Sequence, residues 1–294
     1  MKILGTGSYL PPRKLSNTDI GADDMWAHEK LGISERRVTY KDTAFLGEMA
    51  AQNALIDAGL IAEHIDIIIV ATATSSKLNP STAAMIQDRL GAHTAVAFDI
   101  SAVCSGFVYA LDMAHLYLEK YTNILVIGTD TFSHITDWKH RDCVFFGDGA
   151  GAVIVTRSKN KYHGRLYADG RGQHDFETEH GGTFVMDSKA VYVAGTTFLP
   201  RAIDEVLYEA DLTIEDIDWM LPHQGSVTML KEIARCVGMP WEKVMTNMEF
   251  YGNTAGASIP ILLDENKKYF KRGDRILLAA IGSGWAYGAI ILEW

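Results

Sequence analysis

The 294-residue chain contains only three cysteines, Cys104, Cys143 and Cys236, and no two of them form a CxxC pair. An odd number of widely separated cysteines excludes a zinc ribbon and a disulfide framework, and it fits a reducing compartment. The polar group His174, Glu177, Glu179 and His180 matches no spacing of metal ligands on a helix, so we interpret it as a polar loop. We therefore expect no metal site.

The sequence also has no long hydrophobic run. The apolar stretch at residues 65–71 is far shorter than the ~20 residues that cross a bilayer. The first residues reach Gly5 too soon to provide the apolar core of a secretory signal. We therefore expect a cytoplasmic protein that does not enter a membrane.

Positive charge is scarce, because 27 Lys and Arg residues stand against 37 Asp and Glu residues, for a net charge of −10. Binding to a nucleic-acid backbone requires a basic face, so a nucleic-acid partner is not expected. An acidic, solvated surface that favours solubility explains the charge.

The chain contains an internal repeat at a constant offset. Residues 54–70 and 206–221 share a pattern of helix end, turn, Ile-Asp pair and apolar strand, at an offset of 152 (206 minus 54). Phe98 and Phe250 match at the same offset, as do the Ile-Leu pairs that begin at Ile124 and Ile276. Three matches at one offset indicate a duplicated unit. We place the boundary near residue 158, which gives halves 1–158 and 159–294.

Strands and helices alternate within the first half. Apolar, β-rich segments predict strands, and a segment with apolar residues at helical spacing predicts a helix over 105–121. The predicted strands cover 65–73, 95–100, 124–128 and 152–156. Such alternation is typical of an α/β fold with mainly parallel sheets covered by helices. Two such halves are expected to pack as a layered αβαβα sandwich.

Three chemically capable residues follow predicted strands. His223 follows a strand over 217–221, while Cys104 and Asn253 follow strands predicted to end near Ile100 and Met248. Ligands of α/β sheets bind beyond the carboxyl ends of strands. A pseudo-two-fold relation between the halves would bring the three residues to one central site.

Each of the three residues suits acyl-transfer chemistry. Cys104 lies between a strand and a helix, where the helix dipole can lower the pKa of a thiol and favour the nucleophilic thiolate. His223 can accept a proton or donate a hydrogen bond, and the Asn253 amide is a neutral donor for an oxyanion or enolate. Taken singly, an inert buried cysteine, a turn histidine and a capping asparagine remain open alternatives.

The sequence resembles the β-ketoacyl-acyl-carrier-protein synthase III family of thiolase-fold condensing enzymes over nearly its whole length. The resemblance rests on motifs in a fixed order: ILGTGSYLP at residues 3–11, LGISERRV at 31–38, the Cys104 segment, FGDGAGA at 146–152, PHQ at 222–224, GNT at 252–254 and GSGWAYG at 282–288.

The resemblance implies a thiolase-like five-layered αβαβα sandwich and a ping-pong Claisen condensation. Cys104 would accept an acyl group from acyl-coenzyme A (acyl-CoA), and His223 and Asn253 would stabilise the enolate formed as a malonyl thioester loses carbon dioxide. The backbone amides of Cys104 and Ser283 would form an oxyanion hole. The malonyl group would arrive on a carrier protein or on CoA. The family also implies a homodimer and no metal or redox cofactor.

The resemblance further implies a CoA site at Trp26, Lys30 and Arg141. Lys30 stands where an arginine is common, and Thr228 stands where a basic residue is often found. Asn79 occupies a position that is often apolar and that lines the neighbouring subunit's acyl pocket. These departures affect the expected substrate more than the expected chemistry.

Two other functions remain open at this stage. The chain could transfer the Cys104-bound acyl group to another acceptor without condensation, as an acyltransferase of secondary metabolism. It could also be a non-catalytic partner subunit, in which Cys104 would be no more reactive than Cys143 or Cys236.

Overall fold

The computed structural model describes residues 1–294 and is built around two sheets. The strands, in chain order, are β1 (Lys2–Tyr9), β2 (Arg13–Ser16), β3 (Glu35–Val38), β4 (Ile67–Ala71), β5 (Val96–Ile100), β6 (Asn123–Thr131), β7 (Asp148–Thr156), β8 (Tyr162–Ala168), β9 (Phe176–Glu177), β10 (Val185–Met186), β11 (Trp219–Pro222), β12 (Arg275–Gly282) and β13 (Ala286–Glu293). The first sheet has the order β1-β7-β6-β4-β5 and the second has the order β11-β12-β13-β8.

Helices form three layers around these sheets. The helices are α1 (Asp24–Trp26), α2 (Thr43–Ala58), α3 (Thr82–Leu90), α4 (Gly106–Tyr117), α5 (Ser188–Ala210), α6 (Val227–Val237), α7 (Met248–Tyr251) and α8 (Ser258–Asn266). Helices α2 and α3 cover the outer face of the first sheet, while α5 covers the second and α6 packs beside α5 in the same apolar core. Helices α4 and α8 contact both sheets and fill the layer between them. The predicted five-layered αβαβα sandwich is confirmed.

The central strands owe their position to their composition. All five residues of β4 (IIIVA) are buried, and β4 pairs in parallel with both β5 and β6. A short, continuously apolar strand is typical of a parallel sheet covered on both faces. The helix predicted over 105–121 is shorter in the structure, where α4 covers Gly106–Tyr117. None of the helices is both long and apolar enough to span a bilayer.

The duplication appears in the strand register. Ile67 of β4 pairs with Ile124 of β6, and Trp219 of β11 pairs with Ile276 of β12, which is the same pairing 152 residues later. One apolar core combines residues of both sequence halves, including Phe107 and Leu262. The boundary near residue 158 falls between β7 and β8, and it stays a prediction.

The prediction of a strand that ends near Met248 is wrong. The second half has only one isolated parallel bridge there, between Met220 and Val244, and Met248 begins the short helix α7. The buried Gln224 side chain replaces the missing strand: its amide donates to the Pro222 carbonyl at 2.8 Å and accepts from the Asn247 N–H at 3.0 Å. The match between Phe98 and Phe250 is therefore not a structural equivalence, since Phe98 lies on a strand and Phe250 lies on a helix.

Strand β7 begins four residues before the predicted start at residue 152. Its glycines disfavour a strand by propensity, but tertiary packing requires them. A Cβ atom at Gly151 would lie 2.6 Å from the backbone nitrogen of Ile261. The glycine therefore allows α8 to pack directly on β7, as close approach of two backbones demands.

Candidate active site

One cavity of about 340 Å³ contains all the predicted site residues. Its lining includes Cys104, His223 and Asn253, and it also includes the predicted CoA-binding and oxyanion-hole residues Trp26, Lys30, Arg141 and Ser283. Cys104 and His223, one from each sequence half, thus meet beyond the carboxyl ends of β5 and β11, as the duplication predicts.

Cys104 lies in a tight turn between β5 and α4. The preceding residue, Val103, has a φ of 47°. This left-handed conformation is uncommon for a β-branched residue and occurs where surrounding structure enforces it. The Ser105 hydroxyl fixes the turn by donating to the Ala102 carbonyl at 2.7 Å. A Cβ atom at Gly282 would lie 2.9 Å from the Cys104 nitrogen, so only glycine allows the segment before Ser283 to approach this turn.

The turn has a counterpart in the second half. Ala255, which follows Val103 by 152 residues, also has a φ of 47°, and it begins a similar turn that leads into α8. The two turns contact each other. The pseudo-two-fold relation therefore holds at the site itself, although Gly256, and not Asn253, is the counterpart of Cys104.

The predicted lowering of the Cys104 pKa is wrong. Burial raises the pKa of the Cys104 thiol, and the nearby Asp130 carboxylate raises it further. The sulfur lies in the 3₁₀ turn before α4, and its side chain is almost fully buried, so the loss of hydration outweighs the helix dipole. The resting thiol is therefore protonated and needs a base to become nucleophilic.

Asp130 is a site residue that the sequence argument missed. Its carboxylate is fully buried at the end of β6, and burial raises its pKa to about 6. Oδ1 accepts hydrogen bonds from Thr72 Oγ1 at 3.2 Å, the Ala73 N–H at 2.8 Å and Thr74 Oγ1 at 2.9 Å. Oδ2 accepts from the Gly256 N–H at 2.9 Å, across the boundary between the halves. Asp130 therefore fixes the turn of the second half against the first.

His223 is buried and uncharged at neutral pH. It follows β11, and its backbone N–H donates to the Ala279 carbonyl at 2.8 Å. Burial lowers the pKa of its imidazole to about 4. Its Nδ1 lies 2.9 Å from Ser258 Oγ. A neutral imidazole has one nitrogen that accepts and one that donates, so His223 can serve as a proton acceptor or as a hydrogen-bond donor.

Asn253 follows α7 and Gly252, not a strand. Its backbone is held between two neighbours, since its N–H donates to the Phe145 carbonyl at 2.8 Å and its carbonyl accepts from the Gly147 N–H at 3.0 Å. The side-chain Oδ1 accepts from the Ala255 N–H at 2.8 Å. The Asn253 side chain lies beside Cys104, where it opposes the effect of burial by lowering the pKa of the thiol. Because Oδ1 already accepts one hydrogen bond, Nδ2 is the part of the amide that is available as a donor in the cavity.

A buried arginine braces this region from behind. Arg36 is fully buried, and its guanidinium donates to the Val144 carbonyl at 2.9 Å and to the Leu15 carbonyl at 3.0 Å. A Cβ atom at Gly252 would lie 3.3 Å from the Cβ atom of Arg36. Arg36 therefore supports the segment at residues 144–147 that holds Asn253, and it packs against the neighbouring Gly252.

The cavity mouth carries an aromatic ring and two cations. The Arg141 guanidinium lies 4.8 Å from the centroid of the Trp26 ring, within the range of a cation–π contact. Thr228, which replaces the basic residue expected from the resemblance, donates from Oγ1 to the Lys30 carbonyl at 2.9 Å. It thus fixes the backbone of the segment that carries Lys30.

Four phenylalanines form an apolar wall against Cys104: Phe132, Phe146, Phe176 and Phe184. The rings of Phe132 and Phe146 stack with centroids 4.4 Å apart. Ser283 Oγ donates to the Phe176 carbonyl and ties this wall to the predicted oxyanion hole. The four residues lie in separate segments of the chain, so no pattern in the sequence could identify them as one wall.

The four polar side chains predicted to form a loop at 174–180 are exposed, although the stretch includes the two-residue strand β9, and His174 Nδ1 lies 3.1 Å from Glu177 Oε2. No cluster of three or more His, Cys, Asp or Glu side chains is arranged to hold a metal ion.

Two stacked α/β halves, with a cysteine and a histidine beyond strand ends and an asparagine in the same cavity, define a thiolase-like condensing enzyme. Residues 98–170 match the sequence family described as 3-oxoacyl-[acyl-carrier-protein (ACP)] synthase III, and residues 207–294 match the C-terminal family of the same description. The chain is 41% identical to the β-ketoacyl-[acyl-carrier-protein] synthase III of Aquifex aeolicus, with 100% of this chain and 99% of that protein covered.

Solved structures agree with the sequence matches. The crystal structure of the Aquifex aeolicus synthase III superposes with a TM-score of 0.97 at 40% identity, covering 100% of this chain and 99% of that one. The priming β-ketosynthase of the R1128 polyketide pathway superposes with a TM-score of 0.92 at 29% identity, covering 99% and 96%. This chain belongs to the β-ketoacyl-acyl-carrier-protein synthase III family.

The raised pKa of Cys104 predicts how its alkylation responds to pH. The rate of reaction with iodoacetamide should keep rising through about pH 10, because the thiolate is the reactive form and burial disfavours it. Peptide mapping by mass spectrometry measures this rate, with the exposed Cys236 of the same protein as the internal reference. A plateau of the Cys104 rate below about pH 8 would instead indicate a pKa lowered by the helix dipole.

Proposed function

We propose that this protein condenses an acyl-CoA primer with a malonyl thioester by decarboxylative Claisen chemistry. The observation that carries the proposal is the convergence of Cys104, neutral His223 and the donor Nδ2 of Asn253 in one cavity. A nucleophile, a proton acceptor and neutral hydrogen-bond donors are the groups that acyl transfer and enolate chemistry require.

The first half-reaction acylates the enzyme. His223 accepts the thiol proton of Cys104 as the sulfur attacks the thioester carbonyl of the primer. The backbone amides of Cys104 and Ser283 stabilise the oxyanion of the tetrahedral intermediate. The carbon–sulfur bond to CoA breaks, and the CoA thiolate takes the proton from His223, which leaves an acyl group on Cys104. The phenylalanine wall provides an apolar surface beside the acyl group.

The second half-reaction forms the carbon–carbon bond. A malonyl thioester enters the cavity and loses carbon dioxide, and its electron pair moves into the thioester as an enolate. His223 and Asn253 donate hydrogen bonds to the enolate oxygen. The α-carbon then attacks the acyl-Cys104 carbonyl, the Cys104 sulfur leaves as a thiolate, and the thiolate takes up a proton from solvent water. The product is a β-ketoacyl thioester.

The cavity mouth supplies the contacts for CoA. The Trp26 ring offers a stacking surface, while Lys30 and Arg141 place positive charge where the phosphates of CoA or of a carrier protein's prosthetic arm would pass. Either CoA or the prosthetic arm of a carrier protein can carry the extender, since both end in the same thiol chemistry. The proposal places the reaction in the cytoplasm and requires no metal or redox cofactor.

Simple acyl transfer without condensation is the weaker alternative. Acyl transfer alone needs Cys104 and a base, but it forms no enolate. The hydrogen-bond donor of Asn253 would then have no enolate oxygen to stabilise. A non-catalytic role is weaker still, because the nucleophile, the histidine and the asparagine are all present and converge in one cavity.

A panel of acyl-CoA thioesters tests the first half-reaction. We expect an acyl adduct on Cys104, because the nucleophile lines the same cavity as His223 and Asn253. The adduct is seen by intact mass and located by peptide mapping. The Cys104→Ala variant should show no adduct, and the matched control Cys236→Ala should be acylated like the wild type. If no thioester labels the folded protein, acylated carrier proteins serve as donors in the same assay, and failure of both kinds of donor would refute the acyl-enzyme.

Release of carbon dioxide separates condensation from simple transfer. With malonyl thioester present, Asn253→Ala should lower this release by about 100-fold or more, the usual effect of losing one oxyanion donor. Acylation of Cys104 measured in parallel shows whether the variant still folds. Turnover that proceeds to another acceptor without malonyl thioester would favour the transferase alternative.

We further propose that the protein is a homodimer. Strand β5 lies at the edge of its sheet and pairs only with β4, which leaves its outer hydrogen-bonding groups without a strand partner. Val96 on this strand and Leu116 and Tyr117 on α4 are exposed. A free, apolar edge strand is a template for pairing with a second chain.

Light scattering coupled to size-exclusion chromatography tests the dimer. We expect a mass of about twice the 32.4 kDa of the chain. Substitution of Val96→Lys should shift the equilibrium toward monomer, because it adds charge to the proposed contact. The exposed Ile56→Lys on α2 is the matched control, and a monomeric wild type would contradict the proposal.

A further inference from the structure

Ser258 is a buried hydroxyl that the condensation scheme does not use. It is the first residue of α8, its side chain is almost fully buried, and it lies behind the His223 imidazole. Its Oγ is 2.9 Å from His223 Nδ1 and also 2.9 Å from the Ala255 carbonyl oxygen. The hydroxyl therefore has two possible acceptors but only one proton.

The position of that proton is coupled to the tautomer of His223. If Ser258 donates to the Ala255 carbonyl, then Nδ1 must carry a hydrogen and donate, because two lone pairs would otherwise face each other. The other nitrogen, Nε2, then presents a lone pair. If Ser258 donates to Nδ1, then Nδ1 is the acceptor and Nε2 carries the hydrogen. Rotation of one hydroxyl thus suits either neutral form.

Neither arrangement leaves Ser258 Oγ, His223 Nδ1 or the Ala255 carbonyl without a partner. The Ala255 carbonyl also accepts from the Ser258 backbone N–H, so it keeps a hydrogen bond when the hydroxyl turns toward His223. Buried groups that lose their partners are costly, and here neither tautomer incurs that cost.

We infer that Ser258 is a positioning residue that lets His223 present either an acceptor or a donor from Nε2. This inference rests on the proposed function, whose two half-reactions need different forms of the same imidazole. Acceptance of the Cys104 proton needs a lone pair on Nε2, and the hydrogen bond to the enolate oxygen needs a hydrogen there. No proton is gained or lost by the hydroxyl itself, which only changes its acceptor.

The Ser258→Ala variant separates the two forms. Without the hydroxyl, a hydrogen on the His223 ring can still bond the nearby Ala255 carbonyl, but an unprotonated Nδ1 has no donor. The variant should therefore favour the form with the lone pair on Nε2. We expect carbon dioxide release to fall by about 5- to 100-fold, the effect of one unsatisfied buried acceptor. Acylation of Cys104 should stay within about threefold of wild type, because it uses the form that remains. Ser258→Thr, which keeps the hydroxyl, should restore the release.

A merely structural role gives a different result. Displacement of α8 would move Asn253 and the turn at Ala255 together, so both half-reactions would fall in parallel. Parallel loss, or no loss in either half-reaction, overturns the inference.

Nitrogen-15 spectra of the His223 side chain test the same point without any activity. The wild type should show shifts averaged between the two tautomers, and Ser258→Ala should move them toward the form with hydrogen on Nδ1. A single pure tautomer in the wild type overturns the inference even if the variants do not fold. If the wild type neither becomes acylated nor releases carbon dioxide, the proposed function fails, while these spectra still report whether Ser258 controls the tautomer.

Discussion

Asp130 accepts hydrogen bonds from both halves of the chain, and the geometry of the cavity depends on this buried carboxylate. Three donors come from residues 72–74 after β4, and the fourth is the Gly256 N–H in the turn before α8. The contact brings the strained turn at Ala255 against the turn at Val103, so that Cys104 and Asn253 face one cavity. A buried carboxylate needs several donors to offset its lost hydration, and it therefore fixes the positions of the groups that supply them.

The same burial sets the protonation states of the site. It raises the pKa of Cys104 and lowers that of His223 to about 4, so the two groups are both neutral at rest. A thiolate–imidazolium pair is disfavoured there, since two ions would have to lose their hydration and the Asp130 charge opposes the thiolate. Proton transfer is therefore coupled to attack on the substrate, and the uncharged His223 remains available as a donor or an acceptor.

Much of the fold and of the site could be predicted from the sequence because the chain is duplicated. The offset of 152 recurs in the pairing of β4 with β6 and of β11 with β12, and it identified the strand ends at which His223 and Cys104 lie. The prediction failed where tertiary contacts replace local pattern. Before Asn253, the Gln224 side chain makes the hydrogen bond to the backbone that a neighbouring strand would make. At Cys104, burial raises the pKa of the thiol, whereas the helix dipole was expected to lower it. Asp130 carried a usable signal, a lone carboxylate at the end of an apolar strand, whereas Ser258 gains its role only through its position behind His223.

An Asp130→Asn variant tests most directly whether this carboxylate assembles the site. Asparagine keeps the size but removes the charge and cannot accept from all four donors. The account predicts two opposite changes in a protein that still folds by circular dichroism. Alkylation of Cys104 should shift to lower pH, because the opposing charge is gone. Condensation should nevertheless fall by about tenfold or more, because the turn that carries Gly256 is no longer fixed. Condensation at the wild-type rate in the folded variant would contradict the account.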